Sequence, residues 1–337
     1  MENISELKSL LAIPKDIVIT SHRNPDGDAI GSSLGLRHYL EQLGHTVKVT
    51  VPSEFPVFLN WMPGASDVLV YDISTEEVQA ALKKPDIIFC LDFNSLERID
   101  KMGEIIAAGK SKVVMIDHHL IPEPFADFVL HDETASSTSE MIYDFIKLLG
   151  DLGKMNLSIG ECLFSGILTD TGSFKYSTSP KLFRIVADLL ELGVDDVKIQ
   201  NLIFNSLDEK HLRLLGHVLF NRMEVLEEFH TVLIWLTKED YENFTISRGD
   251  TEGLVNFPLQ MKNITMVAFI HEQPTITKIS LRSKAGFSVQ EIAKKHFRGG
   301  GHKNASGGYS YIGLRPTMRM FKSILPEYQS LLLNNDI

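Results

Sequence analysis

Acidic and histidine side chains follow several apolar runs of the sequence, at the point where each run ends. Residues 16–21, 85–91 and 112–116 are continuous apolar runs of the kind that form buried parallel strands. Residues just past the carboxyl ends of parallel strands meet at one edge of a sheet. The polar residues concerned are His22, Asp26, Asp28, Asp92, Asp117, His118 and His119, with Asp170 added from the end of an apolar helix.

So many carboxylates in one crevice either raise each other's pKa or attract cations. Imidazole and carboxylate ligands without a thiolate favour Mn²⁺ or Mg²⁺, with Zn²⁺ or Fe²⁺ as alternatives. Each residue alone has a simpler interpretation, because an aspartate after a strand often caps the next helix. Their coincidence at one edge therefore predicts a metal site.

The alternation of strand and helix patterns predicts a parallel α/β sheet in the first part of the chain. Strands are expected at 16–21, 47–51, 85–91 and 112–116, and a helix at 29–43. Further helices are expected from Ser137 and at 157–168, 180–192 and 208–227, followed by strands at 231–236, 266–271 and 275–281, a helix at 288–297 and a strand near Tyr309. We expect a first domain over 1–225, which includes a linker helix, and a smaller α/β domain over 226–337.

The motifs identify a family. His22-x-x-x-Asp26-x-Asp28, Asp92, Asp117-His118-His119 and Asp170 resemble the four motifs of the DHH phosphoesterase superfamily. Arg298-Gly299-Gly300-Gly301-His302 resembles the glycine-rich motif of the companion DHHA1 domain. The resemblance covers essentially the whole chain and is greatest to the nanoRNase (oligoribonuclease)/3′-phosphoadenosine 5′-phosphate phosphatase group. It implies a DHH domain with helices on both faces of its sheet, followed by a DHHA1 domain.

The resemblance also implies a role for each residue. One metal would be held by His22, Asp26 and Asp92, and a second by Asp28, Asp92, His118 and Asp170. Asp117 would orient a ligating histidine, and His119 would face the substrate phosphate as a charge stabiliser or proton donor. Two divalent ions, Mn²⁺ most of all and Mg²⁺ as an alternative, would activate a water for attack on phosphorus.

Substrate contacts are expected from two further regions. Residues 278–303 contain seven Lys and Arg against one acid, Glu291, and Arg282 is suited to a bidentate phosphate contact. The resemblance implies that Gly299, Gly300, Gly301 and His302 bind the terminal phosphate or nucleotide, although the glycines alone could also form a loop that needs positive φ. Residues 133–137, which include Ser136, lie before a helix and either present hydroxyls and helix-terminal amides to phosphate or form a plain helix cap.

The composition limits which partners and which cellular compartment are expected for the protein. The 337 residues carry a net charge of −11, which argues against general binding of long duplex nucleic acid. The chain has only two cysteines, and its start lacks a signal-peptide pattern. Its apolar runs are shorter than the ~18 residues of a membrane helix. We therefore expect a cytoplasmic protein without a membrane partner; the sequence leaves open whether it forms a homodimer.

The sequence leaves three possible functions. The first is a two-metal phosphoesterase that converts very short oligoribonucleotides to 5′-mononucleotides and removes the 3′-phosphate of adenosine 3′,5′-bisphosphate, with substrate in a cleft between the domains. The second is a phosphodiesterase for dinucleotide messengers such as pApA or cyclic di-AMP. The third is a nucleotide sensor without catalytic activity, against which the intact ligand set argues.

Overall fold

The protein divides into two compact units, Met1–Ser206 and Leu207–Ile337. The computed structural model describes residues 3–205, 208–247, 249–251, 253–284 and 286–334. This division lies earlier than the expected one at 225/226. The reason is that the helix Glu209–Asn221, which the expected boundary assigns to the first domain, buries Leu214 and Val218 in a core of the second unit.

The first unit contains a six-stranded sheet in which every neighbouring pair is parallel. The strands lie in the order β3-β2-β1-β4-β5-β6. Their bounds are β1 Asp16–Thr20, β2 Thr46–Val51, β3 Leu69–Val70, β4 Ile87–Leu91, β5 Lys112–Asp117 and β6 Phe128–His131. The four strands expected from the apolar runs are confirmed, and their order places β1, β4 and β5 side by side.

Helices cover both faces of this sheet, as expected. Alternate residues of a strand face opposite sides, so Ile19 and Phe89 belong to one core whereas Val18 and Cys90 belong to the other. The bounds are α1 Ile4–Leu10, α2 Gly27–Gln42, α3 Thr75–Leu82, α4 Lys101–Ala108, α5 Thr138–Leu149, α6 Leu157–Asp170, α7 Pro180–Glu191 and α8 Asp196–Phe204.

Small residues let α2 and α6 pack closely. A Cβ atom at Gly31 would lie 2.5 Å from the carbonyl oxygen of Cys162, and one at Gly27 would lie 2.5 Å from the side chain of Thr169. Only glycine permits this backbone approach. The contact sets the amino end of α2 beside the carboxyl end of α6, where Asp28 and Asp170 lie.

The second unit contains a mixed six-stranded sheet in the order β11-β12-β10-β9-β8-β7. β8 and β9 are parallel, and the other pairs are antiparallel. The strands are β7 Met223–Leu226, β8 Thr231–Leu236, β9 Met266–Glu272, β10 Thr277–Ser283, β11 Gly300–Gly301 and β12 Ala305–Ser310. The helices are α9 Glu209–Asn221, α10 Lys238–Asn243, α11 Val289–His296, α12 Leu314–Ile324 and α13 Gln329–Leu333.

One expected element of this unit was wrong. The helix predicted over 208–227 ends at Asn221, and the residues after it form β7. β7 pairs with β8 through Met223 and Ile234, so tertiary hydrogen bonding overrides the helical propensity of this short segment. Among the described residues, no helix is both long and apolar enough to cross a membrane.

Candidate metal centre

The predicted ligands follow three adjacent strands. β1 is followed by His22, β4 by Asp92, and β5 ends at Asp117, with His118 next along the chain. β4 lies between β1 and β5 and is hydrogen-bonded to both. The carboxyl ends of these strands therefore bring the side chains to one edge of the sheet, as the sequence predicts.

Asp92 lies at the centre of the cluster. One of its carboxylate oxygens is 3.2 Å from His22 Nε2, and the other is 3.5 Å from His118 Nε2. Its backbone has φ 64°, a left-handed conformation that ordinary residues adopt infrequently. The backbone amide of Asp92 still donates to the carbonyl of Ile116, 3.1 Å away. The chain thus turns sharply at the end of β4 and holds the buried carboxylate in place.

Three groups of candidate metal ligands share this carboxylate. In each group, one donor atom per residue lies within 4.8 Å of the others. The first is His22, Asp26 and Asp92, the second is Asp28, Asp92 and His118, and the third is Asp92, Asp117 and His119, in which Asp117 and His119 are hydrogen-bonded to each other. Asp170 joins the second group, since its carboxylate lies 3.3 Å from His118 Nε2. The structure therefore brings together all six predicted ligands.

The amino end of α5 fixes two of these ligands. The backbone amides of Thr138 and Ser139 donate to Asp28, with distances of 2.6 and 2.8 Å. The Thr138 hydroxyl also donates to Asp92 over 3.1 Å. Sequence analysis missed this role of Thr138, although the run of serines and threonines before α5 indicates a helix start.

These contacts change the interpretation of residues 133–137. The helix-terminal amides expected to be available for phosphate are already taken, because the amide of Ser136 donates to Glu140 over 2.8 Å and the next amides reach Asp28. The Ser136 hydroxyl is different: it is buried and has no hydrogen-bond partner within the residues described. A buried polar atom of this kind usually has a partner, which a ligand or water would supply.

Asp117 orients a different histidine from the one expected. Its carboxylate accepts from His119 through ring nitrogen Nδ1 at 2.7 Å and through the backbone amide at 3.1 Å. The ring of His118 instead places Nδ1 3.2 Å from the carbonyl oxygen of Ala135. His118, the ligating histidine that was expected to contact Asp117, is therefore oriented by a backbone carbonyl. Asp117 instead fixes the ring of His119, which is assigned to substrate.

The electrostatics show that the cluster is strained without a cation. Burial, followed by the charge of Asp92, raises the pKa of Asp28 to about 7. Burial and the charge of Asp28 raise the pKa of Asp170 well above its ordinary value. Burial alone would lower the pKa of His118, but its hydrogen bond with Asp92 and the charges of Asp170, Asp92 and Asp28 raise it to about 10.

These shifts have two physical causes: burial disfavours each charged form, and the buried carboxylates repel one another and attract any positive charge within reach. The donor set is imidazole and carboxylate, whereas both cysteines are buried in the hydrophobic cores. Such a set fits divalent metal ions. The residues present are therefore suited to hold the cations that the sequence predicts.

The predicted substrate residues of the second unit lie at one end of its sheet. β12 separates β10 from β11 and pairs Arg282 with Ala305 and Gly301 with Ser306. The amide of His302 donates to Ala305 over 2.8 Å, so this histidine follows β11 at the same end. Arg282 and His302 are thus brought close in the fold, and both are half-buried.

The glycines divide into two kinds. A Cβ atom at Gly299 would lie 1.8 Å from the carbonyl oxygen of Gly307, and Gly301 has φ 134°. Both are required by the packing of β11 on β12, which supports the simple explanation of a tight backbone. Around Gly300, in contrast, a Cβ atom would meet no described atom within 4 Å, so this position has room for a ligand.

Comparison with known proteins gives matches to two domain families. The DHH family, N-terminal domain, matches residues 16–167, and the DHHA1 domain matches residues 231–313. The bifunctional oligoribonuclease and PAP phosphatase NrnA of Thermus thermophilus is 30% identical, over 88% of this chain and 85% of its own. The cyclic-di-AMP phosphodiesterase PdeA of Listeria monocytogenes is 24% identical, over 96% of this chain and 49% of its own.

A solved structure is more similar still. The crystal structure of an exopolyphosphatase-related protein from Bacteroides fragilis has 41% sequence identity and a TM-score of 0.92. The match covers 98% of this chain and 99% of the other. Both domains therefore have counterparts of the same length and order in a known protein.

Proposed function

Because the chain belongs to the DHH family and carries a DHHA1 domain, we propose that it is a metal-dependent phosphoesterase. Its substrates would be short oligoribonucleotides, released as 5′-mononucleotides, and adenosine 3′,5′-bisphosphate, from which it would remove the 3′-phosphate. The observation that carries the proposal is the position of Asp92, which belongs to both of the ligand groups that we assign to metals. The names of the NrnA relatives support the choice of substrates.

Two divalent ions, Mn²⁺ in our proposal, would be held by His22, Asp26 and Asp92 and by Asp28, Asp92, His118 and Asp170. Such ions lower the pKa of a bound water and offset negative charge on phosphoryl oxygens. Asp117 holds the ring of His119 through Nδ1, so Nε2 is the nitrogen that would contact the substrate phosphate. The Ser136 hydroxyl, buried and unpartnered among the described residues, would provide a further contact.

The second unit would bind the rest of the substrate. Arg282 and His302, together with the open backbone at Gly300, would contact a terminal phosphate or nucleotide. The basic stretch 278–303 is short, which favours a substrate of a few nucleotides over a long strand.

Turnover of defined substrates tests the proposal. Purified protein with Mn²⁺ should release mononucleotide from a diribonucleotide and phosphate from adenosine 3′,5′-bisphosphate, and EDTA should abolish both activities. Arg282→Ala and His302→Ala should raise KM while bound metal is retained. The absence of product with full metal content would refute the substrate assignment, and metal loss in these two variants would refute the division of roles.

A dinucleotide-messenger phosphodiesterase is the second candidate. It is favoured by the match to PdeA, which spans nearly this whole chain. Parallel measurements of kcat/KM for pApA, cyclic di-AMP, a diribonucleotide and adenosine bisphosphate decide between the two. A preference for cyclic di-AMP of tenfold or more would favour the second candidate.

A further inference from the structure

Two arginines lie beside the candidate metal centre, joined through the backbone. The amide of Arg23, which follows His22, donates to the carbonyl oxygen of Arg98 over 2.9 Å. Arg98 belongs to a short 3₁₀ helix, Leu96–Ile99, which follows Asp92 in the chain. The fold therefore sets Arg98 next to the loop that carries His22.

The two guanidinium groups have different surroundings. Arg23 is neutralised, because two of its nitrogens donate to Asp72 at 2.8 and 3.0 Å and its Nε donates to Asp100. Arg98 is half-buried and makes no ion pair with any carboxylate of the described residues. A basic side chain next to a dense group of acids is thus held without a carboxylate of its own.

The charge of Arg98 acts on both histidines at the rim of the centre. Burial lowers the pKa of His119, and the positive charge of Arg98 opposes its protonation as well. The same two effects act on His22, where contacts with Asp92 outweigh them and raise the pKa. The charge of Arg98 therefore reaches both rings, that of the predicted ligand His22 and that of His119, which is assigned to substrate.

We propose that Arg98 binds the oxygens of the phosphoryl group that is cleaved, as a cation supplied by the first unit. The inference rests on the proposed function and adds a substrate-binding residue to it. Guanidinium offers parallel N–H donors that match two phosphoryl oxygens, and a carboxylate partner would compete with that contact. Arg282 and His302, in contrast, would bind parts of the substrate away from the cleaved bond.

Substitutions at position 98 test the inference. Arg98→Ala should lower kcat/KM by about 100-fold for both a diribonucleotide and adenosine bisphosphate, because every substrate presents the cleaved phosphoryl group. Arg98→Lys keeps the charge but loses the bidentate contact, and a loss of about 10-fold is expected. Lys84→Ala, which removes an exposed cation from the same unit, serves as the control and should keep full activity.

Added guanidine separates binding from a structural role. Guanidinium chloride at about 10 mM should restore part of the activity of Arg98→Ala and leave Arg98→Lys unchanged. The metal content and melting temperature of both variants should match those of the wild type. If Arg98→Ala is too unstable to purify, Arg98→Lys alone decides: a loss below threefold overturns the inference. Arg98→Ala with wild-type kcat/KM, or with lowered metal content and no rescue, also overturns it.

A failure of the proposed function is distinguishable from a failure of this inference. If the wild type hydrolyses neither substrate, the proposed function fails, and the affinity of the Mn²⁺-loaded protein for inorganic phosphate then tests Arg98. We expect Kd for phosphate to rise by about tenfold or more in Arg98→Ala and to stay unchanged in Lys84→Ala. Equal affinities in wild type and Arg98→Ala would refute a phosphate-binding role.

Discussion

Asp28→Asn is predicted to change stability in opposite directions with and without divalent metal. Asp28 is fully buried, and its carboxylate and that of Asp92 each place an oxygen within the same 4.8 Å group. Without a cation the two charges repel one another, whereas a bound cation turns the same carboxylate into a ligand. The substitution removes the charge and keeps the size of the side chain.

The magnitude follows from the contacts of Asp28. Two charges at this separation repel by about 3 kcal/mol at an effective dielectric constant near 20. The rise of the Asp28 pKa from 3.8 to about 7 corresponds to about 4 kcal/mol at neutral pH. Asparagine has one oxygen for the amides of Thr138 and Ser139, and the lost hydrogen bond costs about 1–3 kcal/mol. We expect a net gain of about 1–2 kcal/mol in the metal-free protein.

The pH dependence of stability shows in which direction Asp28 acts on the metal-free protein. The folded-state pKa of Asp28 lies above its unfolded value, so the folded protein holds a proton that the unfolded chain releases. The contribution of Asp28 to the stability of metal-free protein therefore falls as pH rises from about 4 to about 7. Asp28→Asn should remove this decline, and its advantage should be full at pH 8 and small at pH 4.

Tryptophan fluorescence during denaturant unfolding measures the effect in the unit concerned. Trp61 lies in the first unit and Trp235 in the second, so Trp235→Phe leaves a single reporter of the first unit. Mn²⁺ at 100 times its Kd should stabilise the wild type by about 2.7 kcal/mol per site, and Asp28→Asn should lose most of that gain. A variant that is destabilised equally in EDTA and in Mn²⁺ would refute the reasoning.

Three further predictions concern other buried groups. Asp92→Asn should lower kcat by at least about 1,000-fold and reduce metal content at both sites. Asp127→Asn, which removes a surface partner of a lysine, is the control and should change neither kcat nor metal content. Retention of both metals by Asp92→Asn would contradict the shared-ligand arrangement. Asp117→Asn should lower kcat while metal content persists, since this carboxylate contacts a ring assigned to substrate; wild-type kcat would contradict it. Burial, together with the charge of a lysine, lowers the pKa of His271 to about 3. The contribution of His271 to the stability of the second unit should therefore be greatest above pH 6.5 and should fall as pH decreases towards 3. Trp235 fluorescence in a Trp61→Phe background measures this, and a pH profile that is flat, or unchanged in His271→Gln, would contradict it.

The ligand cluster could be predicted because it depends on topology. Continuous apolar runs predict parallel strands, and parallel strands deliver whatever follows them to one edge. The positions of His22, Asp92 and Asp117 relative to their strands therefore predicted that these residues lie close together at one edge of the sheet. The order of the strands was not needed in detail, since β1, β4 and β5 are neighbours.

What could not be predicted depends on contacts between segments distant in sequence. The α5 amides that hold Asp28 come from residues more than 100 positions away, and helix-cap patterns do not show which anion fills the cap. Strand β7 follows a helix directly and is fixed by pairing with β8. The role that we propose for Arg98 depends on the carboxylate partners that Arg23 has and that Arg98 lacks within the described structure.

Anomalous diffraction from Mn²⁺-loaded crystals tests the metal assignment most directly. We predict two anomalous peaks that both contact Asp92, one also coordinated by His22 and Asp26 and the other by Asp28, His118 and Asp170. Fully loaded protein with no peak at Asp92, or with peaks only at other carboxylates, would contradict the assignment.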